Sequence, residues 1–598
     1  MNNPVTTPQT EYQTRLAARH ATVAQLIERY RRVGIVRLIF LLTGAALILR
    51  ALFTGHAKLL WWVIPVAIVS LVLLIIHQQI HKQQQRANRA VKFYERGLAR
   101  LAGNWAGVGE SGERFRSSQH PYADDIDLFG AGSLFDLLCT ARTRAGEDAL
   151  ASWLMAPAMP AEIRARQESV AELTPKLDWR EDLSLLGDDL RTGIHPESLI
   201  AWGNGQPFAQ LNGLRWLTGL LCTASIIAIV LWFAGYGLIP FYSILFVNGI
   251  AGLWLRPRVN AIIAQVEPAS RDLKLLSEVL ACIEAEQFES EKMTTLRASL
   301  ATQGVPPSRQ IAQLYRLITW LDARMNQLFR PLSAPFFWTS QFALAVEAWR
   351  LRSGVLIEKW IAAVGEIEAL CALANYAYEH PADRFAEIIE GTPIFAGVGL
   401  GHPLLPEDRV VRTDIQLDSD LQLLVVSGSN MSGKSTLLRT VGTNAVLALA
   451  GAPVRAQALR LSPLQLGASI RIQDNLRAGA SLFYAEITRL RQLMEMTKDA
   501  LPLLFIIDEI LHGTNSHDRR IGSEAVLRGL VERGAMGLVT THDLALTNIV
   551  SDAQTHARNV HLEDHLENGQ MTFDYILREG VVKKSNAIEL MRSVGLEV

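Results

Sequence analysis

Gly428, Ser429, Asn430, Met431, Ser432, Gly433, Lys434, Ser435 and Thr436 fit the pattern G-x-x-x-x-G-K-[ST], directly after an apolar run. Between a strand and a helix, such a segment wraps a phosphate. The glycines let backbone N–H groups turn inward, and the helix N-terminus adds a favourable dipole. Lys434 is placed to reach the β and γ phosphates of ATP, and Ser435 to ligate Mg2+. A second run, LLFIIDE (503–509), ends on two adjacent carboxylates. Asp508 suits the metal, directly or through water, and Glu509 suits the positioning or deprotonation of an attacking water. His542 closes a third short run, LVTTH (538–542), and is placed to sense the γ-phosphate. An acid pair at a strand end, or one histidine, is by itself ordinary structure. Their order behind a phosphate loop is what points to ATP hydrolysis.

These groups need a scaffold that brings three strand ends together. From about Thr392 onward, strand-like runs alternate with helices, as in an α/β sheet that binds ligands at the carboxyl ends of its strands. Upstream, 126–200 and 259–378 read as helical, and 104–123 is rich in Gly, Ser and polar residues, as a linker would be.

Two further segment pairs have a different character. Residues 59–76 (LLWWVIPVAIVSLVLLII) carry no charge and are long enough for a membrane-spanning helix. Leu38–Leu49, flanked by Arg37 and Arg50, forms a hairpin with them around Gly55–Lys58. Trp216–Ala234 and Gly237–Leu255 form the second pair, with tryptophans near the ends of both hairpins. Buried core helices are the competing reading, more so for the second pair, where Pro240 and glycines interrupt. Arginines and lysines at 29, 31, 32, 82, 86, 89, 215, 256 and 258 flank the spans on one side. The positive-inside rule then puts both termini and the ATPase domain in the cytoplasm, at a bacterial-type inner membrane. Lys82, Arg86, Arg89, Lys92, Arg96 and Arg100 share one helix face. They suit lipid headgroups or, alternatively, nucleic-acid phosphates. PFFWTSQFALAVEAW (335–349) is apolar but short, and reads as core or a membrane-surface contact.

Bulk properties agree. The 598 residues are 49% hydrophobic and 20% charged, which excludes general disorder. Mean hydropathy is +0.16, high for a soluble chain. The net charge of −1 gives no global nucleic-acid signature. Four scattered cysteines form neither a zinc motif nor a disulfide framework, and the polar N-terminus does not read as a cleaved signal.

The motifs resemble those of the MutS family of mismatch repair ATPases. GSNMSGKST is similar to its GPNMGGKST, and DEILHGTNSHD (508–518) to its DEIGRGTS. GASLFYAE (479–486) resembles its signature segment, TTHDLALT (540–547) its A-T-H motif, and GHPLL (401–405) the opening of its ATPase domain. SLFDLL, GEDALASWLMAP and RARQESVAEL resemble the start of its core. The resemblance implies an ATP- and Mg2+-dependent homodimer with shared sites. Ser481 would touch the γ-phosphate on the opposite subunit, and Asn515–Asp518 would lie along the interface. ATP-driven closure would move lever helices within 259–380, with DNA as client. No mismatch-reading domain has room in 1–100, and Phe93, Tyr94 and Glu95 match its Phe-x-Glu motif only superficially.

The expected organisation is multidomain: α-helical transmembrane hairpins and a helical core, followed by an α/β P-loop (ABC-type) ATPase domain. The boundaries are 1–103 for the first hairpin with its basic helix, 104–125 for the linker, 126–212 for the first core part, 213–257 for the second hairpin, 258–391 for core and lever, and 392–598 for the ATPase. An ATPase acting on a protein partner, or a transporter-like machine moving the hairpins, stands beside the DNA reading. The spans lack the charged residues of a substrate path, and no LSGGQ-type signature is present.

Overall fold

The computed structural model describes residues 7–186, 196–206, 211–266, 273–301, 304–325, 333, 335–429, 432–471, 482–512, 516–542, 546–551, 556–567 and 570–582. It divides into two units, Met1–Val108 with Asp178–Leu186, and Gly109–Leu177 with Gly187–Val598.

The first unit is a helical hairpin of α1 (Pro8–Thr54) and α2 (Val63–Leu101). The Thr7 hydroxyl caps the start of α1, and Gly55 at φ 69° ends it, a conformation that favours glycine. Both helices are long and apolar enough to cross a bilayer, and their most apolar stretches are almost wholly unburied. Beyond those stretches the hairpin is polar and packed. Tyr94 is fully buried, and its hydroxyl donates to Glu181, which also accepts from Arg19 Nη2 at 2.8 Å. Arg86 pairs with Asp182 at 2.7 Å, and Arg89 donates to the Leu185 carbonyl at 2.7 Å. The basic stripe is therefore partly engaged within the protein by 178–186. Spacing along one helix cannot reveal acids supplied from elsewhere in the chain. Tyr94 is a core residue of this bundle.

The second unit begins with 109–125, which is packed rather than a free tether. Ala468 N donates to the Pro121 carbonyl at 2.8 Å, and the Asp125 carboxylate accepts from the N–H groups of Ile470 and Arg471, both at 2.7 Å. Buried Tyr122, Ala123 and Ile126 anchor it. Gly and Ser content describes its turns and misses these anchors.

Helices follow: α3 (Leu134–Leu138), α4 (Arg144–Met155), α5 (Pro160–Leu173), α6 (Leu177–Ser184, mostly in the first unit) and α7 (Pro196–Gly203). Next come the apolar pair α8 (Leu211–Phe233) and α9 (Ile239–Val266), also long enough to span. Then come α10 (Leu273–Ala285), α11 (Glu291–Leu300), α12 (Pro307–Asp322), α13 (Trp338–Ser353) and α14 (Leu356–Glu379). The nearly all-buried α14 packs on α4, α5 and α11 and runs into the α/β domain.

That domain has a central sheet in the order β12-β11-β5-β10-β9-β8. Its strands are β5 (Leu423–Ser427), β8 (Gln465–Ser469), β9 (Leu503–Ile507), β10 (Met536–Thr541), β11 (Ala557–Glu567) and β12 (Gln570–Glu579). All pairings are parallel except β11–β12. Every residue of β5, β9 and β10 is buried, so these strands read as unbroken apolar runs. A four-stranded sheet of β2 (Glu387–Ile388), β7 (Ala458–Leu461), β3 (Phe395–Leu400) and β4 (Thr413–Leu417), and the short pair β1 (Arg384–Phe385) and β6 (Pro453–Val454), complete it. Helices α15 (Lys434–Ala450), α16 (Leu482–Met496) and α17 (Ser516–Glu532) cover the central sheet, with Leu490, Leu493, Leu527 and Leu530 packed on Phe505, Ile507 and Val539.

Candidate functional site

Parallel register puts the carboxyl ends of three strands side by side: Thr541 opposite Ser427, and Val539 opposite Ile507. The loop after β5 therefore opens beside the acid pair after β9 and the histidine after β10. Gly433, at φ 94°, is the last residue before α15, whose first residue is Lys434. A Cβ on Gly433 would lie 2.8 Å from the Tyr575 ring, so glycine is required there for conformation and for space.

Lys434 is buried, and its Nζ donates to the carbonyls of Gly428 at 3.0 Å and Ser429 at 2.7 Å. Burial pulls its pKa down, against the opposing pull of Glu509 and Asp508. Ser432 is also buried, and its hydroxyl donates to the Ser429 carbonyl at 2.9 Å. Ser435 Oγ donates to Asp508 Oδ2 at 2.5 Å, and Thr540 Oγ1 donates to Asp508 Oδ1. Hydroxyl and carboxylate oxygens this close are the donor set a hard divalent cation takes. The described residues hold no cluster of three His, Cys, Asp or Glu, so phosphate and water oxygens would have to complete such a shell.

Glu509 sits at φ 50°, a left-handed conformation costly for a side chain of this size. Its N–H donates to Thr540 Oγ1 at 3.0 Å, and its Oε1 lies 2.6 Å from His542 Nε2. The following turn is fastened twice more. Leu511 N donates to the buried Glu486 carboxylate, and Arg519 donates to the carbonyls of Leu511 at 3.2 Å and His512 at 3.1 Å. The backbone that carries this carboxylate is thus strained and fastened, which suits a group that must be positioned.

A cavity of about 760 Å³ adjoins these groups, lined among others by His402, Arg409, Lys434, Ser435, Glu509 and Tyr575. Thr436 also lines it. Burial pushes His402 down to about 4, with Arg439 adding to the effect, so its ring is neutral at physiological pH. The structure thus brings Gly428, Ser429, Ser432, Gly433, Lys434, Ser435, Thr436, Asp508, Glu509 and His542 to one place. Asn430, Met431, Ser481 and Asn515 lie outside the described residues. Thr540, Arg519 and Tyr575 were not expected. A threonine two positions before a strand-end histidine is a readable signal, whereas nothing local marks Arg519 or Tyr575.

MutS domain V matches residues 424–597, from the phosphate-loop strand through β12 and beyond. This part of the chain is similar to MutS domain V. The endonuclease MutS2 of Thermus thermophilus is 33% identical over 196 residues, 33% of this chain and 25% of that protein. A DNA mismatch repair protein MutS of Desulfosudis oleivorans is 33% identical over 240 residues, covering 38% of this chain and 27% of its own length. The DNA mismatch repair protein msh3 of Aspergillus niger is 33% identical over 253 residues, 40% and 22% respectively. This chain thus spans about a quarter of the length of the MutS relatives it matches. The architecture is a helical region followed by an α/β domain of the MutS type.

Proposed function

We propose that this chain is a membrane-anchored, MutS-like ATPase that binds and hydrolyses ATP as a dimer, driving movement of the helices in 258–391, with DNA as client. The observation that carries the catalytic half is the convergence of Lys434, Ser435, Asp508, Glu509 and His542 at three adjacent strand ends. The triphosphate would lie along 428–433, with Lys434 exchanging two loop carbonyls for phosphate oxygens. Ser435 and Asp508 would hold Mg2+, which supplies neutralisation of phosphate charge. Glu509 orients the attacking water and draws its proton, while His542 fixes the Glu509 carboxylate and faces the γ-phosphate position. By family resemblance, Ser481 and the Asn515–Asp518 segment complete the site of the opposite subunit.

The anchor rests on α1, α2, α8 and α9 as four spans, with their basic flanks cytoplasmic. The DNA client rests on the relatives, whose names include DNA mismatch repair proteins. Mismatch reading is not part of the proposal. A second reading, in which the cycle acts on a protein partner or on the membrane segments themselves, has one observation in its favour: α13 packs on both α8 and α9.

The two readings separate in ATPase assays of the full chain in neutral-lipid nanodiscs, with homoduplex, mismatched and branched DNA over a salt series. A DNA client predicts stimulation by at least one form, weakening as salt rises. Intact basal hydrolysis that no DNA form alters would rule the DNA client out and leave the partner or membrane reading.

A further inference from the structure

Helix α13 meets the second hairpin at a buried polar node. Asn248 Nδ2 donates to Ser225 Oγ at 2.7 Å and to the Pro335 carbonyl at 3.1 Å, and Ser225 Oγ also donates to that carbonyl at 3.1 Å. Ser225 is in the middle of α8 and Asn248 in the middle of the apolar part of α9. Arg215 marks the basic flank of α8, and ten helical residues from there to Ser225 rise about 15 Å, half the roughly 30 Å hydrocarbon core. Pro335 therefore lies at the level of the bilayer midplane if α8 and α9 span.

The other end of α13 fixes its direction. Arg350, buried with Glu347 at 2.5 Å, donates to the carbonyls of Trp202, Gly205 and Gln206, which precede α8. Helix α13 thus runs antiparallel to α8, from midplane depth back past the basic flank. Counting ten residues up each helix from the node pairs 345 with Arg215. Residues 335–346 (PFFWTSQFALAV) carry no charge, and the first charge, Glu347, falls just beyond that level. The neighbouring faces of α8 and α9 are apolar and open: Ile226, Val230, Phe246 and Ile250 are all at least half exposed. On α13, the partly exposed Trp338 and Phe342 have rings 4.7 Å apart and meet the half-exposed Trp320 of α12. Arg316 and Asp322 lie on α12, and Arg324 just beyond its end.

We propose that residues 335–346 form a re-entrant membrane element, lying beside α8 and α9 within the bilayer with their outer face against lipid acyl chains. This rests on the reading of α8 and α9 as a spanning hairpin. It makes the helix leading into α14 and the ATPase domain a part of the membrane region, so any shift of α13 must move lipid-embedded surface.

The test is depth measurement by spin-label power saturation on the full chain in nanodiscs, with Cys139, Cys222, Cys282 and Cys371 replaced by Ala. Single labels go at Phe342→Cys and Ala345→Cys, with Ile226→Cys on α8 and Lys359→Cys on α14 as references. The proposal predicts that 342 and 345 share the oxygen-accessible, nickel-excluded behaviour of 226, while 359 is nickel-accessible. Label 226 embedded with 342 and 345 in water overturns the re-entrant element and leaves the hairpin standing. All four labels in water overturn the spanning hairpin itself, and the inference with it.

Discussion

In the proposed mechanism, Glu509 is the residue on which hydrolysis turns. The Thr540 hydroxyl holds its left-handed backbone, and His542 lies against its carboxylate. Glu509→Gln keeps the shape and the phosphate loop but loses the base. Turnover is expected to fall by about 10²- to 10⁴-fold, with ATP retained on the protein, as read by single-turnover hydrolysis and nucleotide retention on a filter. The pattern of Lys434, Ser435 and Asp508 was legible because each group sits in a short contiguous motif whose backbone conformation the motif itself dictates. Tyr575 was not. It reaches Gly433 from the far strand of a hairpin, and only the antiparallel return of β12 puts it there. Arg519 is likewise recruited from outside the motifs to hold the turn at Leu511, whereas Glu486, which also holds it, ends the signature-like segment 479–486.

At the scale of elements, α14 holds the start of α4 through Glu368. Its carboxylate accepts from Thr143 N at 3.1 Å, Thr143 Oγ1 at 2.6 Å and Arg142 N at 3.3 Å. Burial pushes this carboxyl up to about 7, against those three donors. A carboxyl raised in the folded state holds its proton there while the unfolded chain loses it. Its contribution is therefore full below about pH 4.5, the ordinary glutamate range, and is lost as pH rises through about 7. Glu368→Gln is expected to remove that slope. The difference in unfolding free energy between wild type and variant should change by on the order of 2 kcal/mol between pH 5 and pH 8 in urea titrations. The junction between α13 and α14 depends on backbone proximity. A Cβ on Gly354 would lie 2.5 Å from the Gly203 carbonyl oxygen, and the reverse contact is 2.6 Å. Gly354→Ala should cost about 1 to 3 kcal/mol and lower the thermal midpoint. Helix types and the apolar spans were readable from periodicity and length. The docking of 109–125 and the partners of the basic stripe were not, because both depend on segments far away in the chain.

At the scale of the whole molecule, the chain combines a MutS-type domain, which motif order pointed to, with helices long and apolar enough to cross a membrane, which mean hydropathy hinted at. Within the second unit, the grip of α13 on α8 and α9 has no motif and emerges only from the fold. ATP hydrolysis at the cavity beside Lys434 and Glu509 is most directly tested by Mg2+-dependent phosphate release from the purified full chain in neutral-lipid nanodiscs, run beside Lys434→Ala. Steady turnover by the wild type, falling to background in Lys434→Ala and on chelation of Mg2+, is the predicted result. Equal phosphate release by both proteins, or none by a wild type that binds ATP, would contradict the account.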